Sequence, residues 1–402
     1  MSNSNQPTTL NQFEGMLVER IRSGSNKYYI ALVISGLIML VGAVAGLLAT
    51  VWGHHTYYNV TREVPWGILI ATYVFFVVTS TGLCLVSSIG HVFGNETFMP
   101  IAKRSVYLSI VTILAGFFVI SAEIKVPIKM MLYNVISPNL SSNIWWMGTL
   151  YGIYLVFMLF EFLFLNLNKH KPAVFCGFSG AIAGIAAHSN LGAVFGLLNG
   201  REFWHGPYMP IYFIASAMMT GTAVIIFFHI VAQRVNNEPI DFPMARALDA
   251  TRKVGILLIC VIAFFTTWKI LAGIAGQPGG KYEAITAMLS GSYAINFWVF
   301  EVALAMAIPL VLFLLSKGKN RNMMLIASAM MIVGIFIMRY DLVIVGEVIP
   351  VYHELGVVEA SGLISYIPSL YEILITAAGF GMVAFLFLLG EKVFAGHKTE
   401  SH

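Results

Sequence analysis

Ten long apolar stretches dominate this chain, and they constrain its fold more than any other feature. A helix that crosses a bilayer needs about 20 mostly apolar residues. The stretches are 28–53, 66–92, 102–127, 143–167, 172–198, 208–234, 250–275, 293–316, 321–346 and 363–391. Only 10% of the residues are charged, compared with about 25% in soluble domains. The sequence therefore predicts an all-α integral membrane protein with about ten transmembrane helices.

Short connections join the apolar stretches and leave no room for a soluble domain. We expect a cytoplasmic N-terminal segment over 1–27, a ten-helix transmembrane domain over 28–391 and a cytoplasmic tail over 392–402. The N-terminal segment has no apolar core and no small-residue cleavage site, which argues against a removable signal peptide.

The distribution of lysine and arginine predicts the orientation. With ten spans, both termini share a side with every second loop, and that side carries sixteen Lys and Arg residues. The opposite loops carry four: Arg62, Lys129, Arg201 and Lys281. Because positively charged loops stay in the cytoplasm, both termini are predicted to be cytoplasmic. The net charge of +4 gives no indication of a nucleic-acid partner, so membrane lipid and other proteins are the expected partners.

Ionisable side chains occur inside the predicted spans, where each costs roughly 2.5–3.5 kcal/mol to insert. They are Glu123, Glu161, His188, Lys269, Glu301, Arg339, Asp341 and Glu372. Such residues normally face a bundle interior or a watered cavity. The set indicates a route for protons or a polar ligand.

Three of these carboxylic acids, Glu161, Glu301 and Glu372, lie among Phe, Leu and Ile. Desolvation favours the neutral form of such a group, which suits a proton relay near pH 7. The alternative is a neutral glutamic acid that hydrogen-bonds to a neighbouring helix. We favour the relay for the set.

Arg339 and Asp341 are two residues apart, so they do not face each other on a straight helix. Glu301 and Glu372 are candidate partners for Arg339, and these groups form either a proton path or a structural ion-pair cluster. Lys269 lacks an assigned partner and can also extend toward the membrane surface.

The outer loops are rich in aromatic and polar residues, including His54, His55, His205, His353 and Glu354. Aromatic residues at this depth commonly anchor helices at the interface. The density of polar groups favours a docking surface for a partner at the outer face, with ordinary anchoring as the alternative.

A candidate ligand pocket lies at the outer halves of the second and fifth spans. Trp66 and Tyr73 are seven residues apart, which places them two turns along one helix face. His188 and Asn190 lie in a glycine-rich fifth span, and Glu123 is nearby at the outer end of its helix. A quinone head group needs an apolar slot, a ring to lie against and hydrogen-bond donors for its carbonyls, which tyrosine and histidine provide.

Metal cofactors are not expected in this chain. Cys84, Cys176 and Cys260 each lie alone in apolar sequence, as buried filler residues do, and no CxxC pair occurs. A single haem between His91 and His229 is geometrically conceivable, but a relay of two haems would need four ligands at matched depths and is excluded. We therefore predict no haem, iron–sulfur cluster or other metal site.

A weak internal repeat is also indicated. TSTG (79–82) in the second span and MMTG (218–221) in the sixth each follow an entry with proline and aromatic residues. Duplicated bundles are common among membrane carriers, although four residues are a short match.

Five segments resemble the NrfD/polysulfide reductase C-subunit family of membrane subunits from respiratory complexes. They are PWGILIATYVFFVVTSTG (65–82), HVFGNETFMPIAKRS (91–105), HSNLGAVFG with NGREFWHGPYMPIYFIASAMMTGTA (188–223), MRYD (338–341) and YIPSLYEILITAAGFG (366–381). Ten spans are similar to the quinone-reductase-complex, hydrogenase-linked and alternative-complex-III branches.

The resemblance implies two four-helix bundles plus peripheral helices, in a bacterial cytoplasmic (inner) membrane. It implies a site for menaquinone or ubiquinone near the outer face, and electron exchange with an extracytoplasmic, ferredoxin-like iron–sulfur subunit. A molybdopterin-type, hydrogenase or multihaem cytochrome subunit would lie beyond it. Tyr73 falls where the family places a quinone-binding polar residue, and His188 is the proposed partner. The quinone-binding prediction is thus Trp66, Tyr73, Glu123, His188 and Asn190.

Proton movement leaves two alternatives open. Turnover is electroneutral when only outer groups near the quinone exchange protons, and it conserves energy when a path reaches the cytoplasm. The residues predicted for that path are Glu161, Glu301, Arg339, Asp341 and Glu372. A proton-coupled secondary transporter, or an anchor without a quinone site, is the alternative function.

Overall fold

The computed structural model describes residues 24–236, 239–351 and 363–394. Over these ranges the chain is helical without β-strands, and ten helices are long and apolar enough to cross a membrane. This confirms the predicted all-α architecture with ten spans. His353 and Glu354 of the predicted docking surface lie outside the described residues.

Thirteen α-helices and one π-helix make up the described part of the chain. In order they are α1 (Asn26–Trp52), α2 (His54–Tyr57), α3 (Ile68–His91), α4 (Met99–Glu123), α5 (Pro127–Ile136), α6 (Asn143–Asn166), α7 (His170–Gly196), α8 (Tyr208–Asn236), α9 (Phe242–Gly276), α10 (Lys281–Leu289), the π-helix (Asn296–Ala307), α11 (Ile308–Ser316), α12 (Arg321–Val345) and α13 (Leu370–Val393).

Several helix ends differ from the predicted ones because capping decides them. Helix α9 begins at Phe242, eight residues before the predicted start, since the Asp241 side chain accepts from Met244 N–H. Near the start of α9, Asp249 forms ion pairs with Arg252 and Lys253 on the same helix. Helix α13 begins at Leu370 instead of residue 363, because Ser369 and Glu372 form a capping box there.

Two contiguous bundles form the core. Helices α3, α4, α6 and α7 pack together as the first bundle. Helices α8, α9 and α12 form the second with the π-helix and α11. Helix α3 packs against α8 and α12 and joins the bundles, while α1 and α13 pack on each other at the periphery. This arrangement matches the predicted two four-helix bundles with peripheral helices.

The π-helix and α11 together make the eighth span. Pro309 follows the π-helix and has no N–H to continue the helical hydrogen bonds. Wider π turns are uncommon and often occur at functional positions. This one carries Glu301, a predicted path residue, on a face packed against α12.

We name the two ends of the helical assembly after Trp66 and His91, which lie at opposite ends. The Trp66 side holds the N-terminus of α3, and the His91 side holds its C-terminus. Because α4 ends at Glu123, Lys125 joins the connections on the Trp66 side, which raises their lysine and arginine count from the predicted four to five.

The connection over 124–142 contains α5, a short helix that the sequence pattern did not predict. Four apolar side chains of α5 are at least 70% exposed: Ile128, Met131, Val135 and Ile136. An exposed apolar helix at this position is typical of a segment that lies in the membrane interface. For this connection, interfacial anchoring therefore explains the sequence better than partner docking.

Cysteine burial differs from the expectation at one position. Cys84 and Cys176 are buried, whereas Cys260 is exposed on α9. Helix α9 also exposes Leu257, Phe264 and Trp268 on its surface. In a membrane protein such a face contacts lipid, so Cys260 lies on the lipid-facing surface instead of in the core.

Candidate functional site

A cluster of polar side chains surrounds His188 where the two bundles meet. We call Tyr73, Tyr151, His188, Ser216 and Arg339 the His188 cluster. Tyr151 Oη lies 3.0 Å from His188 Nδ1, and both residues are fully buried. Tyr73 is buried on α3 in the vicinity of Tyr151. Of the two residues predicted for the quinone site, His188 thus contacts Tyr151 directly and Tyr73 lies near it.

His188 has one ring nitrogen that remains available. Its Nδ1 faces Tyr151, while Nε2 is buried and has no hydrogen-bond partner among the described residues. Buried polar atoms in proteins are nearly always hydrogen-bonded. The Phe213 ring centroid is 6.2 Å from that of His188 and adds an aromatic surface. The arrangement suits a polar, ring-shaped ligand.

Arg339 belongs to this cluster, not to an ion pair. Its Nη2 donates to Ser216 Oγ at 2.6 Å, and the guanidinium lies 5.2 Å from the centre of the Phe213 ring. Within the described residues no carboxylate oxygen is in ion-pair distance of it. Neither expected partner, Glu301 or Glu372, forms a salt bridge with Arg339.

Trp66 and Tyr73 do not share a helix face as predicted. Helix α3 begins at Ile68, so Trp66 precedes it. Trp66 instead stacks on Trp204, with ring centroids 5.4 Å apart, and it contacts the edge of Phe195. Trp66 therefore covers the cluster from the Trp66 side through Phe195, which in turn stacks on Phe213.

Asn190 and Glu123 lie away from His188. Asn190 Nδ2 donates to Asn143 O at 2.8 Å and ties α7 to the start of α6. Residues two apart on a helix point in different directions, which explains why Asn190 and His188 diverge. Glu123 is the last residue of α4, and its buried Oε2 has no hydrogen-bond partner in the described chain.

Glu347 is a buried carboxylic acid that was not singled out from the sequence. It follows the end of α12, is 1% exposed, and accepts the Trp66 N–H on Oε2 at 3.0 Å. Burial raises the pKa of Glu347 to about 8, and repulsion from Glu123 adds to the effect. The Trp66 hydrogen bond and Arg201 oppose this rise in pKa. Because Glu347 accepts the Trp66 N–H, its protonation state affects how Trp66 is held.

Glu372, predicted for the proton path, is held by a complete set of donors. Its Oε1 accepts from Tyr366 Oη at 2.5 Å, and Oε2 accepts from Ser369 N and Asn59 N. These contacts cap α13 and fix the loop over 59–67 against it. The position favours a structural role on the Trp66 side.

Glu301, Asp341 and Lys269 form a second polar group beside the His188 cluster. Asn296 Nδ2 donates to Asp341 Oδ1 at 2.8 Å, and Asp341 Oδ2 has no partner in the described residues. Lys269 Nζ lies 3.9 Å from the centre of the Phe203 ring. Glu301 interacts electrostatically with both Lys269 and Arg339. Lys269 therefore has a position inside this group, which the sequence left unassigned.

Glu161 lies near the His91 side, in ion-pair contact with His91 Nε2. An added Cβ on Gly177 would approach both side chains to 2.8 Å, so this glycine provides the space for the pair. The buried residues of α6 are Tyr151, Tyr154, Met158 and Glu161. They form one stripe, about 15 Å long, from the His91 pair to the His188 cluster.

The histidines considered for a haem have other contacts. His91 contacts Glu161, and His229 Nδ1 lies 2.8 Å from Ile225 O. In the described ranges no group of three or more His, Cys, Asp or Glu residues is arranged to hold a metal ion.

Tyr151 and Tyr154 were not predicted from the sequence, although a signal for them exists. They recur with Met158 and Glu161 at spacings of three and four, which is the period of one helix face. Aromatic anchoring was the easier explanation for tyrosines in a membrane helix. The buried Glu161 in the same register is what distinguishes this face from an interfacial belt.

Comparison with known proteins agrees with this architecture. The sequence matches the family described as "Polysulphide reductase, NrfD" over residues 56–351. It is 25% identical, over 92% of this chain and 94% of the relative, to an Hdr-like menaquinol oxidoreductase integral membrane subunit from Archaeoglobus fulgidus.

Two further relatives belong to another reductase or carry the family name. The C-subunit of selenate reductase from Mesobacillus selenatarsenatis is 24% identical over 81% of this chain and 85% of its own length. Protein NrfD from Escherichia coli is 24% identical over 39% of this chain and 48% of its own length. Because the family match covers most of the sequence, the chain belongs to the NrfD polysulphide reductase family of membrane subunits of oxidoreductase complexes.

Proposed function

We propose that this chain is the quinone-reactive membrane subunit of a respiratory oxidoreductase complex. It exchanges electrons between an iron–sulfur subunit on the Trp66 side and menaquinone or ubiquinone in the membrane. The observation that carries the proposal is the buried Nε2 of His188, which has no partner among the described residues and lies near Tyr151 and Tyr73. One relative is named as the integral membrane subunit of an Hdr-like menaquinol oxidoreductase, which supports the same ligand class.

The His188 cluster fits a quinone head group by its donors. A quinone carries two carbonyl acceptors on a flat ring, and it supplies the two-electron, two-proton chemistry of such a complex. His188 Nε2 is free to donate to one carbonyl when Nδ1 accepts from Tyr151. Phe213 offers a ring surface, and Trp66 and Trp204 shield the cluster from the Trp66 side. These residues bind, orient and exclude water.

The partner is proposed on the Trp66 side because the His188 cluster lies nearer that side. His188 is eight residues from the end of α7, or about 12 Å along the helix. The lysine and arginine distribution supports an extracytoplasmic location for this side. A ferredoxin-like subunit there, with a molybdopterin-type, hydrogenase or multihaem subunit beyond it, would lie close to the quinone.

Proton exchange has two proposed routes. On the Trp66 side, Glu347 accepts the Trp66 N–H and interacts electrostatically with Glu123; use of these two carboxylic acids would make turnover electroneutral. On the His91 side, the α6 stripe offers Glu161, Tyr154 and Tyr151 in order toward His188. Use of the second route would conserve energy. The second polar group, Glu301, Asp341 and Lys269, borders the same cluster through Arg339.

The test is isolation of the native complex through a tag on this chain. We expect an iron–sulfur subunit to co-purify and quinone to appear in the organic extract, with turnover blocked by quinone-site inhibitors. A chain that purifies alone, holds no quinone and ignores these inhibitors would contradict the proposal. A proton-coupled transporter would instead move a solute in vesicles without any redox partner.

A further inference from the structure

Arg339 is a fully buried cation without a carboxylate partner in the described parts of the chain. Its Nη2 donates to Ser216 Oγ, and the Tyr212 side chain interacts favourably with the guanidinium. Its Nε and Nη1 are buried without a partner among these residues. A guanidinium has five N–H donors and stays charged in proteins. An uncompensated charge at this depth marks a functional position.

The other buried arginines show what a purely structural arginine looks like in this fold. Arg104 makes two hydrogen bonds to Glu391, at 2.7 and 3.0 Å. Arg252 bonds to Asp249 and donates to Phe313 O. Each thus has a carboxylate partner. Arg339 has none in the described chain, although carboxylates occur in its own bundle.

Arg339 lies inside the protein, next to the other residues of the His188 cluster. It lies six residues before the end of α12, about 9 Å along the helix, and its full burial shows that it does not extend to the surface. Its charge interacts electrostatically with both His188 and Glu301, and the Phe213 ring lies near both Arg339 and His188. Tyr212 and Phe213 cover its faces.

We propose that Arg339 binds the ligand of the His188 cluster directly and favours a ligand oxygen that carries negative charge. The free Nε and Nη1 donors hold this oxygen, and His188 Nε2 binds the uncharged part of the same ligand. Glu301 competes for the guanidinium and limits the preference for an anion. This inference rests on the proposed quinone site, and it adds the residue that selects the charge state of the ligand.

Two naphthoquinone probes that differ by one methyl group test this charge preference. One is 2-hydroxy-1,4-naphthoquinone, which is ionised at neutral pH, and the other is its neutral 2-methoxy counterpart. Binding of each to the tagged, detergent-solubilised complex is measured by titration, without turnover. In Arg339→Gln we expect affinity for the ionised probe to fall about 10- to 100-fold more than affinity for the neutral probe. Arg339→Lys should keep most of the preference because it keeps the charge.

Three further variants give the direction of the test and its controls. Glu301→Gln removes the competing carboxylate, so affinity for the ionised probe should rise relative to the neutral probe. His188→Gln should weaken both probes to a similar extent. Arg104→Gln removes a buried arginine far from the cluster, and it should leave the ratio of the two affinities unchanged.

The outcomes separate this inference from the proposed function. If wild-type complex binds both probes and Arg339→Gln and Glu301→Gln keep the wild-type ratio, the role of Arg339 is overturned while the quinone site stands. If wild-type complex binds neither probe, the quinone site itself fails, and the inference with it. If Arg339→Gln does not assemble, the rise expected in Glu301→Gln decides the question alone.

Discussion

Gly82 of α3 and Gly221 of α8 face each other at the crossing of the two central helices. A Cβ added to Gly82 would collide with the carbonyl group of Ala217, and one added to Gly221 would collide with the backbone of Gly82. These glycines end the TSTG and MMTG segments. Small residues allow membrane helices to approach closely, so the contact sets the spacing between the bundles.

Substitution of Gly82 by alanine should destabilise the protein by about 1–3 kcal/mol, the usual cost of overpacking. The backbone atoms it would meet cannot rotate away as a flexible side chain can. The measurement is the thermal unfolding midpoint of the purified protein in detergent. Gly152→Ala in α6 is the control, since no atom lies within 4 Å of its added Cβ. A neutral Gly82→Ala variant would contradict the close-crossing argument.

The spans were predictable because apolar length alone specifies a membrane helix. The ends were less predictable: α9 starts early on the Asp241 cap, and α13 starts late on the Ser369 capping box. The contact between the TSTG and MMTG segments was not predictable, although their likeness was visible. Whether the two halves arose as a repeat stays a prediction.

Tyr151→Phe should weaken binding of a neutral quinone analogue about 2- to 10-fold, since it removes one hydrogen bond that orients the His188 ring. Tyr151 Oη is 3.0 Å from His188 Nδ1 in a fully buried setting. The measurement is analogue affinity of the isolated complex at constant subunit composition. Tyr133→Phe on the exposed α5 is the matched control. Equal affinity in both variants would remove Tyr151 from the site.

Much of this site could be predicted one residue at a time but not as an assembly. His188 and Tyr73 were recognisable as polar residues in apolar spans. Arg339 was grouped with the late helices, with Glu301 and Glu372 as candidate partners. Only the packing of α7, α8 and α12 reveals that Arg339 and His188 lie near the same ring, Phe213. Asn190 was placed in the site because it is close to His188 in sequence; its amide donates to Asn143 O, and its role in ligand binding stays a prediction.

Glu347 should make the stability of the Trp66 side depend on pH. Its pKa rises from the ordinary value of 4.5 to about 8, so the folded state favours the protonated carboxyl. Stability is therefore highest below about pH 4.5 and falls as pH increases through about 8. We expect the thermal midpoint to decline between about pH 5 and about pH 9, and Glu347→Gln to flatten that decline.

The control for Glu347 is Glu63→Gln on the same connection. Glu63 is fully exposed, and hydrogen bonds to its own backbone and to Thr61 lower its pKa. Its substitution should leave the pH profile of the thermal midpoint unchanged between about pH 5 and about pH 9, where this carboxyl stays ionised in both states. A wild-type profile retained in Glu347→Gln would show that another group is responsible.

Glu161→Gln should abolish proton uptake from the His91 side if the α6 stripe conducts protons. The substitution keeps the size of the side chain beside His91 and Gly177 but removes the carboxyl group that can release and take up a proton. In proteoliposomes that contain the complex and an internal pH dye, quinone turnover should continue while the associated pH change disappears. Glu372→Gln is the matched control, because Glu372 caps α13 on the opposite side and a glutamine can also complete a capping box. An unchanged pH signal in Glu161→Gln would contradict proton conduction through the α6 stripe.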